Sequence, residues 1–357
     1  LAGQAIEASN DYDEIDYFLT GLPIDADRVT ESNQAFLSGE LRYDPLQKPW
    51  SGSFAVNWMN SDHDNISDGI WAGSTTAETL ELRFRGSVLM GQEQNHRIGF
   101  GLEREDIDFT QRGDATYLDP NQDQSDDVNA YALEYVGQPS DAFTWTASTR
   151  LDDYSDLEDA TTWQLAASYQ INPALRLRGS LGTGSKAPTF TERYGYYEDL
   201  FIGNPDLKPE SSEGWEIGLD SHWADGKYQF QLAWFDQNLK DEIDGFVYDP
   251  LSGLYTANNK DNDSTRKGVE TIFDMQFSQY FTLSASYTYT DATEKDAAGN
   301  SFEEVRRPKH MANLSANYQF LDNRGNLNLN VNYTGSQLDV FYSPVTYMSD
   351  IVNIDSY

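Results

Sequence analysis

The densest group of potential metal ligands lies near the start of the chain. Residues 11–27 read DYDEIDYFLTGLPIDAD and place Asp11, Asp13, Glu14, Asp16, Asp25 and Asp27 in one short segment. Carboxylates crowded beside tyrosines and backbone carbonyls suit Ca²⁺, which takes roughly six to eight oxygen ligands. A solvated acidic loop on a chain that is acidic throughout accounts for the same residues. Asp62, Asp64 and Asp68 in DHDNISDG form a sparser group, without the spacing or closing Glu of an EF-hand loop. Residues 181–219 offer a different chemistry. Tyr194, Tyr196, Tyr197 and Phe201 supply flat apolar surface for a large planar ligand, or packing between this loop and its neighbours. The four histidines, His63, His96, His222 and His310, are scattered without metal-ligand spacing and read as surface or interface residues. No G-x-S-x-G elbow and no Gly-rich phosphate loop is present, which argues against an enzyme.

Composition narrows the setting of these groups. Apolar residues make up only 38% of the 357, yet aromatics reach 13%, with 22 Tyr, 18 Phe and 8 Trp. A large soluble core wants Leu, Ile and Val, whereas Tyr and Trp suit boundaries between apolar and wet surroundings. A net charge of −35 argues against nucleic acid as a partner, since that needs a basic surface. It fits a very soluble acidic protein or loops whose carboxylates meet cations. The absence of cysteine excludes disulfides and thiolate metal sites. No run of 18 or more apolar residues exists, so membrane helices are excluded, while membrane strands, whose signal is alternation, are not.

The elements that position the candidates all have period two. Leu80, Leu82, Phe84 and Val88 face one way, against Glu81, Arg83, Arg85 and Ser87. Phe281, Leu283, Ala285, Tyr287 and Tyr289 oppose Thr282, Ser284, Ser286, Thr288 and Thr290, and Leu327, Leu329, Val331 and Tyr333 oppose four asparagines. These are strands by period. About sixteen can be drawn, each near the ~10 residues that cross a bilayer at a tilt. No helical stretch is convincing. Connections alternate between short (45–49, 90–95, 137–142, 172–174, 224–226, 278–280, 322–325) and long (11–32, 62–76, 110–127, 184–210, 241–263, 291–306, 337–350), with 152–159 a shorter member of the long set. Tight turns on one side and long loops on the other describe an outer-membrane barrel. The fold class expected is therefore all-β, a transmembrane antiparallel β-barrel, and one domain over 1–357. The polar faces place Arg83, Arg85, Arg97, Arg150, Arg176 and Arg178 in the lumen, because an Arg facing lipid at mid-bilayer costs about 2–4 kcal/mol. They either hold a plug and line a path, or neutralise lumen acids such as Glu81 and Glu103. A soluble sandwich or propeller would alternate too, but with an inner face rich in Val, Ile and Leu.

Between two strands, GTGSKAPTFTERYG is followed by GNPDLKPE, a Pro-punctuated loop that includes Gly184, Lys186, Pro188, Asn204, Pro205, Lys208, Pro209 and Glu210. With Trp215-Glu216-Ile217-Gly218-Leu219 after it and Lys267-Gly268-Val269-Glu270 opening a later strand, it resembles the barrel signature of TonB-dependent outer-membrane receptors. The loop spacing, with the run from 11 to 28 and Leu41-Arg42-Tyr43, is similar to the cobalamin-transporter branch. The resemblance covers essentially the whole chain. It implies a Gram-negative outer-membrane receptor that captures a scarce nutrient, cobalamin in preference to a ferric siderophore or haem. Its implied partners are the TonB complex, reached through a plug domain, and outer-membrane lipid and lipopolysaccharide. It also implies calcium at Asp16, Tyr17 and Asp27, and no other cofactor. The departures are a plug and TonB box missing before Leu1, no closing aromatic strand at Tyr357, and about sixteen strands against the roughly 22 of plugged transporters. An incomplete piece is expected, lacking the plug and the last strands. A passive porin or a barrel-anchored adhesin is the rival of another class.

Overall fold

A computed structural model describes residues 1–15, 23–45, 48–91, 93, 95–113, 121–195, 201–296, 298–340 and 345–356. Its strands are β1 (Ala2–Ile15), β2 (Pro23–Tyr43), β3 (Trp50–Ser67), β4 (Ile70–Met90), β5 (His96–Gly113), β6 (Gln122–Ser140), β7 (Phe143–Tyr154), β8 (Ala160–Asn172) and β9 (Leu175–Lys186). After a short helix α1 (Phe190–Tyr194) come β10 (Glu210–Trp223), β11 (Tyr228–Lys240), β12 (Ile243–Asp249), β13 (Leu254–Asn259), β14 (Ser264–Gln276) and β15 (Phe281–Lys295). The last are β16 (Ser301–Glu303), β17 (His310–Phe320), β18 (Gly325–Thr334), β19 (Gln337–Val340), β20 (Val345–Met348) and β21 (Ile351–Ser356). From β1 to β11 each strand pairs antiparallel with the next, and the meander continues through β14, β15, β17 and β18 to β21. Among the described residues that meander has sixteen strands, near the number drawn from the alternation, and β16 makes a seventeenth in the same sheet. The hairpins β12–β13 and β19–β20 stand apart, and β16 adds to the end of β15.

The apolar face points outward. Across five neighbouring strands the register aligns Phe54, Phe84, Leu102, Tyr131 and Leu151, all exposed. Among the described residues the buried apolar ones are, apart from Phe201, Leu207 and Pro188, alanines. A soluble sandwich would bury its large side chains; here a solvent other than water must cover them. At the short-turn end the rings form an unbroken run, Trp223–Tyr228–Phe277–Phe281–Tyr318–Phe320, with successive centroids 5.4 to 6.3 Å apart. Such a girdle suits a membrane–water boundary.

The other face is polar and lines a lumen cavity of about 1170 Å³, where Arg85, Arg97, Glu134 and Arg150 converge. Most of the predicted lumen arginines are paired there. Arg83 meets Glu81 at 2.8 Å, Arg97 meets Glu134 at 2.5 Å, and Arg150 meets Glu103 at 3.2 Å and Asp152 at 2.8 Å. Arg176 meets Asp220 at 2.7 Å, and Arg178 contacts both Glu216 and Asp220.

Three expectations need correction. The described residues of segments 11–32, 62–76 and 110–127 are largely strand rather than loop. β3 and β4 run on to a two-residue turn at Asp68-Gly69 (φ 53° and 74°), the left-handed pair that an Asp-Gly hairpin favours. β4 is 21 residues long, about 70 Å at the usual rise per residue, far beyond the ~25 Å apolar band of a barrel. Past that band no face need be apolar, so Asp62, Asp64 and their neighbours lose the alternation that marks a strand. Segments 241–263 and 337–350 contain hairpins of their own. A helix does exist, the five residues of α1. Its Thr189 side chain caps the Glu192 amide while Glu192 caps Thr189 in return.

Candidate functional site

The long connections gather beyond one end of the barrel, and the GNPDLKPE stretch is bolted to the β12–β13 hairpin. Asn204 donates through Nδ2 to the Ala257 carbonyl (3.0 Å) and accepts the Asp206 amide (3.0 Å). Its own amide donates to the Glu192 carbonyl at 2.9 Å, which brings α1 into the same unit. Asn259 accepts the Lys208 amide (2.9 Å) and donates to the carbonyls of Lys208 (3.0 Å) and Asp241 (2.7 Å). Glu210 accepts the Ile243 amide at 2.9 Å and meets Lys186 at 3.2 Å. Pro188 is buried, Pro205 is exposed and Pro209 is half-buried. Gly184 lies in β9 opposite Ser212. Asn204, Lys208 and Glu210 of the signature thus act as a structural clamp.

Under the clamp is a small core. Phe201 (2% exposed), Leu207 and Ala257 are buried, with Ile243 and Tyr255 packed against them. Phe201 therefore takes the packing role that its sequence left open. Gly203 is required here: a Cβ on it would lie 2.2 Å from the Tyr194 nitrogen. Tyr194 is half-buried, stacked near Phe190 (6.3 Å) with the Arg193 guanidinium 4.9 Å from its ring. Tyr196 and Tyr197 lie outside the described residues.

Sequence reasoning missed the strongest anchor. Arg193 is buried, donating from Nη1 to Asp126 at 2.7 Å and from Nη2 to the Asp156 carbonyl at 3.1 Å. Gln122, at the start of β6, donates to the Gly195 carbonyl at 2.7 Å. The loop after β9 is thereby tied both backward, to the β6 and β7 ends, and forward, to β12–β13. It also missed Phe246 and Tyr248, whose rings surround Tyr255 at 4.2 and 5.5 Å.

Of the three calcium candidates, the structure describes Asp27 alone. Asp16 and Tyr17 lie outside the described residues, and the Asp27 side chain is exposed. The Asp27 carbonyl accepts the Asp68 amide at 2.8 Å. Among the described residues no three of His, Asp and Glu are grouped to hold a metal ion. Among them also, no helix is long and apolar enough to cross a membrane, which says nothing against strands.

Comparison with known proteins places this geometry. The chain is 31% identical over 224 residues to the vitamin B12 transporter BtuB of Photobacterium profundum, covering 61% of this chain and 34% of that protein. Its fold is similar to the siderophore receptor PirA of Acinetobacter baumannii (TM-score 0.73, 16% identity, 92% of this chain and 56% of that one). It is similar also to the FrpB iron transporter of Neisseria meningitidis (TM-score 0.76, 10% identity, 99% and 61%). The matched length is thus about a third of the curated relative and little more than half of the solved ones. Residues 3–357 match the family described as TonB dependent receptor-like, beta-barrel, and the chain belongs to that family.

Proposed function

We propose that the chain is the barrel part of an outer-membrane receptor that takes up cobalamin by TonB-dependent transport. The observation that supports uptake most is the arrangement itself, a charged lumen inside a lipid-type belt, beneath a layer of loops held in place by the clamp. Loops so fixed suit capture from dilute solution, since ordering them beforehand lowers the cost of binding. The choice of cobalamin rests on the 31% identity with a vitamin B12 transporter, whereas the siderophore receptors resemble this chain in fold at 10–16% identity. A ferric siderophore or haem is the second reading. The TonB complex, acting through a plug, and lipopolysaccharide around the belt are the partners this function requires. Calcium ordering of residues 11–27 belongs to the same proposal and rests on their carboxylate density.

Growth rescue is the deciding experiment. A receptor-deleted host carrying the full-length receptor is supplied with cobalamin or with ferric siderophores at limiting concentration. Rescue by cobalamin is expected; rescue by iron chelates alone would transfer the assignment to the second reading.

A further inference from the structure

Two aromatic side chains of the loop layer are neither in the lipid belt nor in a core. Phe246 and Tyr248 of β12 are 53% and 55% exposed. They are also held. Phe246 lies parallel to Tyr255 (4.2 Å, 10°) and to Phe201 (5.8 Å, 3°), and Phe201 at the base of the stack is buried. Tyr248 sits edge-on to Tyr255 at 5.5 Å. Rings fixed in this way have little rotamer freedom left to lose, so a contact on their open faces costs little entropy.

The field around them is one-sided. The eight long-connection segments (11–32, 62–76, 110–127, 152–159, 184–210, 241–263, 291–306 and 337–350) hold 38 of the 59 carboxylates against 8 of the 24 Lys and Arg. Their net charge is −30 of the chain's −35. Segment 241–263 holds six carboxylates and one base, Lys260, which is bound to Glu294 at 2.6 Å, while Glu242 alone of the six is paired with a base beyond the segment, Arg266, among the described ion pairs. Charges this dense repel an anion across roughly the 8–10 Å over which salt leaves them unscreened. The faces of the rings are themselves electron-rich and favour neutral or positive groups.

From this charge complementarity we infer that the open face of Phe246 and Tyr248 is a contact surface for a small molecule with a flat apolar side and no net negative charge. The inference rests on the uptake function proposed above and adds what that function lacks, a reason for the loop layer to refuse polyanionic metal chelates.

The test uses the full-length receptor in detergent, with cyanocobalamin as the uncharged probe and a ferric tris-catecholate as the polyanionic one. Cyanocobalamin is expected to bind, to bind about tenfold more weakly to the Phe246→Ala/Tyr248→Ala double variant, the size of one lost aromatic contact, and to keep its affinity in Phe246→Tyr. Because both rings are exposed, the variants should insert normally, checked by heat-modifiable migration. Raising the salt concentration should leave cyanocobalamin binding unchanged. Cyanocobalamin binding with equal affinity to the double variant would overturn the contact surface and leave the uptake function standing. Tight binding of the catecholate with none of the corrinoid would overturn both.

Discussion

At the scale of single residues, the loop after β9 depends on one buried cation. Arg193 is 3% exposed and its partner Asp126 12%. Removing one member of a buried pair strands the other charge, at a cost of about 3–5 kcal/mol. Arg193→Ala should therefore release residues 187–210 without unfolding the sheet, seen as faster protease cleavage there at unchanged barrel melting. Arg193→Lys keeps the charge but not the fork that reaches both Asp126 and the Asp156 carbonyl, and should fall between. Little of this was legible beforehand. The Thr189-x-x-Glu192 spacing does announce a capping box, but nothing beside Arg193 says that its carboxylate comes 67 residues earlier. Asp249 gives a pH test at the same scale. It accepts the amides of Leu251 (3.0 Å) and Ser252 (3.1 Å), and these bonds hold its carboxyl below its ordinary value of 3.8. A depressed carboxyl stabilises above its unfolded value and stops doing so as pH falls through the folded one. The protection of the β12–β13 tip amides, taken relative to their exchange in an unfolded chain at the same pH, should thus stay constant from neutrality down to about pH 4 and decline only below that.

The element that matters most for the site is the β12–β13 hairpin, because the signature loop is built against it. Asn259 alone supplies two bonds across that seam, both to Lys208, and a third to Asp241 at the base of the hairpin. Asn259→Ala removes this partner from the Lys208 amide and carbonyl, and at ~0.5–1.5 kcal/mol each the seam should weaken by about 1–3 kcal/mol. Hydrogen exchange at Lys208 and across the hairpin should quicken, while β10 and β11 stay protected. Asn259→Asp keeps the acceptor for Lys208 and loses both donations, so it should protect Lys208 better than Ala does. Inside the bilayer the elements were readable from alternation, and Phe281 to Tyr289 is strand as its pattern requires. Outside it, reading failed for a physical reason. The upper halves of β3 and β4 have water on both faces, so Asp62, His63, Asp64 and Asn65 carry no contrast between sides. Asn204 and Glu210 were recognisable as a motif, yet what they hold, the carbonyl of Ala257 and the amide of Ile243, is a property of pairing that no local pattern encodes.

For the molecule as a whole, the inside and the outside of the sheet are exchanged relative to a soluble protein, and this can be tested by moving one charge. Leu102 lies mid-strand on the outward face, opposite Phe84 on one side and Tyr131 on the other. Ser148 lies on the lumen face opposite Glu134, beside the cavity. Leu102→Arg puts a guanidinium into hydrocarbon and should cost about 2–4 kcal/mol in denaturant unfolding of the full-length receptor from lipid vesicles. Ser148→Arg puts the same group into a wet lumen facing a carboxylate, so its cost should stay under about 1 kcal/mol, the scale of a solvated ion pair. In detergent the gap should narrow, because a micelle lets a long side chain reach water. If both substitutions cost the same in vesicles, the outward belt is not in lipid, and the lumen and the loop layer above it would lose the geometry on which the uptake function depends.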